Sequence, residues 1–174
     1  MFTVAETNDN LKIEDIYEFI HSTNFSTQTK EAIKEIANQV ILPKNNEDIT
    51  LSFEDFQTVL QEKNFAFVVQ KESNSNSPAI EAVKSIIEDT LLNDISLKNI
   101  YGTCLSFTVY SGFPILEIAE AMDVLYENIN ENADVIWGLS IDTSQDNGAV
   151  KVNALLTGFK GSRYTIVNNF DYRM

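Results

Sequence analysis

Few side chains in this sequence can do acid–base, covalent or metal chemistry. His21 is the one histidine and Cys104 the one cysteine of 174 residues, so no zinc-type ligand set and no internal disulfide can be assembled. Nothing basic lies near Cys104 in the sequence to favour its thiolate. It falls inside a strand-patterned run and reads as core. His21 falls at the end of a helical pattern, where positive charge suits the helix C-terminus. Acids are more plentiful. Glu47, Asp48, Glu54 and Asp55 gather around one loop and read as a docking patch, while Glu117, Glu120, Asp123 and Glu127 recur at helical spacing and read as a solvent face. No catalytic, cofactor-binding or metal-ligating residue is assigned.

The charge balance narrows the partners. Twelve Lys and Arg against 26 Asp and Glu give a net charge of -14, a field that repels phosphate backbones and anionic lipid. Nucleic acid is excluded as a partner on this ground. The two arginines, Arg163 and Arg173, both lie near the C-terminal end, so no forked cation in the body can clamp an anionic substrate. The N-terminus lacks a basic start with a following apolar run, and no segment approaches 18 apolar residues. These features predict a cytoplasmic protein without membrane insertion, in a reducing compartment.

The elements that must position these residues follow from hydrophobic spacing. Ile13, Ile16, Tyr17 and Ile20 predict a helix over 11–21, and Ile33, Ile36, Ala37, Val40 and Ile41 a second over 26–42, ended by Pro43. A third starts at Ser52, with Asp55 placed for a capping box and Phe53, Phe56, Val59 and Leu60 on one face. Residues 65–70 read as a strand and 72–77 as a loop. Pro78 suits the first turn of a helix running to about 92, with Ile80, Val83, Ile86, Ile87 and Leu91 inward. Residues 100–110 alternate as a strand until Gly112 and Pro114, and 115–129 form a periodic helix. The apolar run 135–141, which includes Trp137 as core, predicts a strand buried on both sides or nearly so. The turn Asp146-Asn147-Gly148 then leads to 150–156 as the second arm of a hairpin. The expected order from 65 is β-α-β-α-β-β: an α/β (α+β) fold with a mixed four-stranded sheet, two helices packed on it, and helices before it. Residues 160–174 read as a tail with a possible strand at 164–167.

Several dispersed motifs carry a resemblance. Val135-Ile136-Trp137-Gly138-Leu139-Ser140-Ile141-Asp142, then Val150-Lys151-Val152, closed by Thr157-Gly158-Phe159, resembles the final hairpin of FtsZ. Ile115-Leu116-Glu117-Ile118-Ala119-Glu120-Ala121 resembles the helix after that family's glycine-bearing loop. Residues 79–92 resemble the helix before it, and 49–60 the loop and helix that open the FtsZ/tubulin C-terminal domain. Asn8-Asp9-Asn10-Leu11 is similar to the segment after the last strand of the GTPase domain, and 26–42 take the place of the central helix. The resemblance therefore divides the chain into a helical segment 1–47, a C-terminal-like domain 48–159 and a tail 160–174.

The resemblance also has functional implications. FtsZ and tubulin bind GTP through consecutive small residues that approach phosphate closely. The six glycines here, at 102, 112, 138, 148, 158 and 161, include no adjacent pair, so no phosphate cradle can be written and no cofactor is expected. In the family an Asn-x-Asp-x-x-Asp loop helps to activate water on a neighbour's GTP. Its positions read Thr50, Ser52 and Asp55 here, so the first acid is lost and Asp55 remains as a helix-start residue. The expectation is a non-catalytic, FtsZ-like polymer-interaction module that docks Ile49, Thr50, Ser52, Glu54 and Asp55 onto an FtsZ-type GTPase, or self-associates, and so caps a filament in cell division. The alternatives are the polymerisation domain of a longer FtsZ-like GTPase, which the strand-like start at Met1 permits, and a small-molecule enzyme on a similar fold, which fold alone hardly supports.

Overall fold

The computed structural model describes residues 11–144 and 148–159. Helices α1 (Ile13–Ser22), α2 (Thr27–Ile41) and α3 (Phe53–Leu60) come first. They are followed by β1 (Phe65–Ser73), α4 (Pro78–Leu92), β2 (Ile100–Tyr110), α5 (Leu116–Asn128), β3 (Asp134–Asp142) and β4 (Val150–Gly158). The alternation follows the switch of hydrophobic period between 3.6 and two. Most boundaries lie within one or two residues of those expected. The first strand runs three residues further, to Ser73. The expected strand at 164–167 and the motif residues Asn8, Asp9 and Asn10 lie outside the described residues.

The sheet order is β1-β4-β2-β3, with β2 and β3 parallel and β4 antiparallel to both of its neighbours. This corrects the expected hairpin. β3 and β4 are separated by β2, so Cys104 of β2 faces Ile136 on one side and Leu155 on the other. The physical reason lies in β4. Val150, Val152, Ala154 and Leu156 turn to one helical layer, and Asn153, Leu155 and Thr157 are buried toward the other; a strand buried on both faces takes the centre of a sheet. β3 is instead an edge strand. Both its faces are covered, but Val135, Ile136 and Trp137 are only half-buried, short of the burial expected. Trp137 packs edge-on to Phe107 with ring centroids 6.2 Å apart.

Two helices, α4 and α5, pack on one face as expected, and the preceding helices cover the other. On the first face Ile86, Leu105, Phe107, Ile118 and Leu125 are buried; on the second, Ile33, Val40, Phe56, Val59 and Cys104. Leu91, expected inward, is 59% exposed; Ala79, Ala82 and Thr90 take the inward positions of α4. Glu117 of α5 is not part of a plain solvent face. Its carboxylate accepts from the Ala79 N–H at 2.8 Å and the Ile80 N–H at 3.4 Å, satisfying donors that the first turn of α4 leaves open.

Candidate functional site

Residues 43–52 carry α2 into α3 along the outer edge of β3, and one side chain fixes their course. Asp48 accepts from the backbone N–H groups of Lys44 at 2.7 Å and Asn45 at 2.9 Å through one oxygen, and from Ile141 at 3.2 Å through the other. The Asn45 side-chain amide donates to the Ile141 carbonyl at 2.9 Å. Partial burial pushes the Asp48 pKa up. The hydrogen bonds from Lys44, Asn45 and Ile141 together outweigh that effect and hold the carboxyl below the usual aspartate range. Asp48 is thus a staple between loop and sheet, which separates it from the docking patch in which the sequence grouped it.

The next residue forms an antiparallel bridge. Ile49 N–H donates to the Leu139 carbonyl at 2.8 Å, and Leu139 N–H donates back to Ile49 at 2.9 Å. This approach needs glycine next door. A Cβ at Gly138 would lie 2.9 Å from the Ile49 carbonyl oxygen and 3.3 Å from Val40 Cβ. Leu51 N–H then donates to the Val40 carbonyl at 2.7 Å, which ties the loop back to α2.

Ser52 closes the segment as the N-cap of α3. Its hydroxyl accepts from Asp55 N–H at 3.0 Å, the first half of the expected capping box. Glu54 and Asp55 stand exposed in the first turn, where their charge suits the helix N-terminus. Phe53 meets Phe19 of α1 edge-on at 5.7 Å. At the other end of α3, the buried Thr157 hydroxyl donates to the Val59 carbonyl, with the Gly102 carbonyl at 3.3 Å. A side chain at Gly102 would collide with both Thr157 and Val59. Both ends of the helix are therefore anchored.

Of the five residues expected to make contact, Ile49 is 36% exposed despite its bridge, Thr50 and Ser52 are half-buried, and Glu54 and Asp55 are exposed. They lie on one loop and the helix turn it leads into. Asp48, Gly138 and Thr157, which hold this frame, and Glu117, which caps α4 on the other face, were not singled out for these tasks by the sequence. A faint signal existed for two of them: an aspartate at the end of the polar run Lys44 to Asp48 suits a turn, and a glycine inside a strand marks close backbone approach. Cys104 is fully buried, and burial pushes its thiol pKa far up. His21 lies exposed in the last turn of α1. Among the described residues no group of three or more His, Cys, Asp or Glu could hold a metal ion.

The family match takes in the sheet with α4 and α5 and begins after the loop and α3. The family model described as the C-terminal domain of the FtsZ family matches residues 65–160, more than half of the chain. The chain belongs to the FtsZ family. The cell division protein FtsZ of a Wolbachia species is 31% identical over 113 residues, covering 65% of this chain and 28% of that protein. Cell division protein FtsZ 2 of Thermococcus kodakarensis is 30% identical over 129 residues, covering 74% of this chain and 30% of that protein. The chain thus spans under a third of the length of either FtsZ relative. In structure, the empty FtsZ dimer of M. jannaschii superposes with a TM-score of 0.62 at 23% identity, over 82% of this chain and 43% of that one. That share exceeds the matched segment together with all that follows it, so the FtsZ fold takes in part of the helical layer before β1. No helix among the described residues is long and apolar enough to cross a membrane.

Proposed function

We propose that this FtsZ C-terminal domain is a filament-contact module, docking residues 49–55 onto the nucleotide face of an FtsZ-type subunit without supplying hydrolytic chemistry. The observation that supports it is the stapled loop. Asp48, the Ile49–Leu139 bridge and the Leu51–Val40 bond hold the segment, while Ile49, Glu54 and Asp55 face outward. A surface ordered before binding loses less conformational entropy when it docks. Ser52, at the place of the family's first acid, is engaged as a helix cap, and a hydroxyl is a far weaker general base than a carboxylate.

A longitudinal contact between FtsZ-type subunits is heterologous, one loop face against one nucleotide face. A subunit that brings the loop face alone ends the filament. Substoichiometric amounts of the protein added to an FtsZ-type GTPase are expected to lower light scattering and slow phosphate release. Unchanged curves for both would remove the capping role.

The short span of the chain relative to its FtsZ relatives favours a second reading, in which the same face serves inside a longer FtsZ-like GTPase. An immunoblot of the native host with antibody to this domain separates the two. A band near 19.6 kDa supports the separate module, and a band of about twice that mass or more, as the 43% coverage of the M. jannaschii chain implies, supports the polymerisation domain.

A further inference from the structure

β3 forms one edge of the sheet, and only the half toward Asp142 is covered on its outer side. Ile49 exchanges backbone hydrogen bonds with Leu139, while Asp48 and Asn45 take the N–H and C=O of Ile141. Backbone polar groups point to the same side at every second residue of a strand, so those of Val135 and Trp137 also point outward, away from β2. Among the described residues neither has a partner on that side. The loop does not reach them, because at Leu51 it turns to bond the Val40 carbonyl. Open edges are commonly guarded by proline, lysine or a bulge. β3 has none of these, and its pairing with β2 runs without a register shift.

An apolar wall stands beside the open half. Val135 and Trp137 turn to the α4–α5 layer yet stay half-buried, and Tyr126 is 53% exposed. α4 lies over β1 and β4, and Glu117 marks the side of α5 that meets α4. Tyr126 comes about two and a half turns later, so it lies on the opposite side of α5, toward β3. Charge selects the occupant. Asp123 stands one turn before Tyr126, Glu131 in the approach to β3 and Asp134 at its first residue; all three are exposed, and none has an ion-pair partner among the described residues. A second copy would bring the same acids, on a chain of net charge -14, whereas a cationic segment complements them.

We propose that the open half of β3 binds an extended, cationic segment of another protein, which adds as an edge strand beside Val135 and Trp137 and sets alternate apolar side chains against Tyr126 and Trp137. This does not rest on the filament-contact reading. Trp137 is the one tryptophan of the chain, so its fluorescence reports the site. The probe is the synthetic peptide Arg-Thr-Val-Thr-Val-Thr-Arg, titrated into the full chain. The expected result is a saturable blue shift of the tryptophan emission, with NMR shifts at the Val135 and Trp137 amides. Val135→Pro removes an outward donor and spares the ladder to β2, as edge strands tolerate; it should weaken binding by about tenfold or more. Asp123→Lys combined with Asp134→Lys should weaken the arginine-flanked peptide and favour one flanked by glutamate, a reversal that loss of folding does not produce. No saturable change up to about 1 mM peptide, or full affinity in Val135→Pro, would overturn the proposal. So would equal binding of the two peptides by the unaltered chain, or a dimer of the protein held through this edge.

Discussion

Ser52 holds a position where two demands meet, capping a helix and, in the family pattern, carrying an acid. Aspartate caps about as well as serine, so Ser52→Asp should leave the melting temperature unchanged within about 2 °C. If the face docks as proposed, the same change should raise phosphate release from mixed filaments above that seen with the unaltered protein. No rise at equal binding would show that the position no longer addresses nucleotide. Asp48 makes a different prediction. Its pKa is lowered in the fold, so its contribution is present above the ordinary aspartate value of 3.8 and is lost as pH falls from there through the folded value. Amide exchange at Ile49 and Leu51, corrected for intrinsic rate, should therefore quicken below about pH 4. Asp48→Asn should show the quickened exchange already at pH 7, with a stability loss of about 1 kcal/mol. Equal exchange in the two proteins at pH 7 would remove Asp48 as the staple. Sequence reasoning located the loop through motif order, and it found the Ser52 cap from the helix-start pattern. It could not assign Asp48, because two of its partners are turn amides and the third lies 93 residues away.

At the scale of elements, the loop and α3 are joined to the sheet through two small contacts, one at β3 and one at β4. Gly138→Ala places a methyl against the Ile49 carbonyl and Val40. It should cost about 1–3 kcal/mol and weaken binding to an FtsZ-type partner more than an alanine on the far helix α5 does. Thr157→Val keeps the side-chain shape but removes the donor to Val59, leaving a buried carbonyl short of a partner at a cost of about 1–3 kcal/mol. Chemical denaturation measures both, and a loss under 0.3 kcal/mol would show that the contact is not structural. Helices and strands were legible because their hydrophobic periods are local. The β3–β4 hairpin was misread for a related reason: a turn signal and two apolar arms look the same whether or not a third strand separates the arms. The discriminating clue was burial on both faces of β4, since a neighbour is needed on each side to bury seven of its nine residues in an unbroken run.

Across the whole molecule, one sheet is shared by two hydrophobic layers that do not otherwise meet in sequence order. β2 and β4 contribute side chains to both, which predicts a single cooperative unfolding transition. Phe107→Ala on the α4–α5 face and Phe56→Ala on the α2–α3 face should each lower that one transition, by about 3–5 kcal/mol. Calorimetry that split either variant into two steps would show that the layers fold separately. The same topology governs the order of events during synthesis. β4, the last described strand, makes the only strand pairing between β1 and the β2–β3 pair among the described residues, so a nascent chain stopped before residue 150 holds two sheet fragments joined only through the helices packed on them. Their apolar faces must be shielded until the ribosome has released the final hydrophobic stretch. Completion of the described sheet is therefore a late event, which waits on translation of β4.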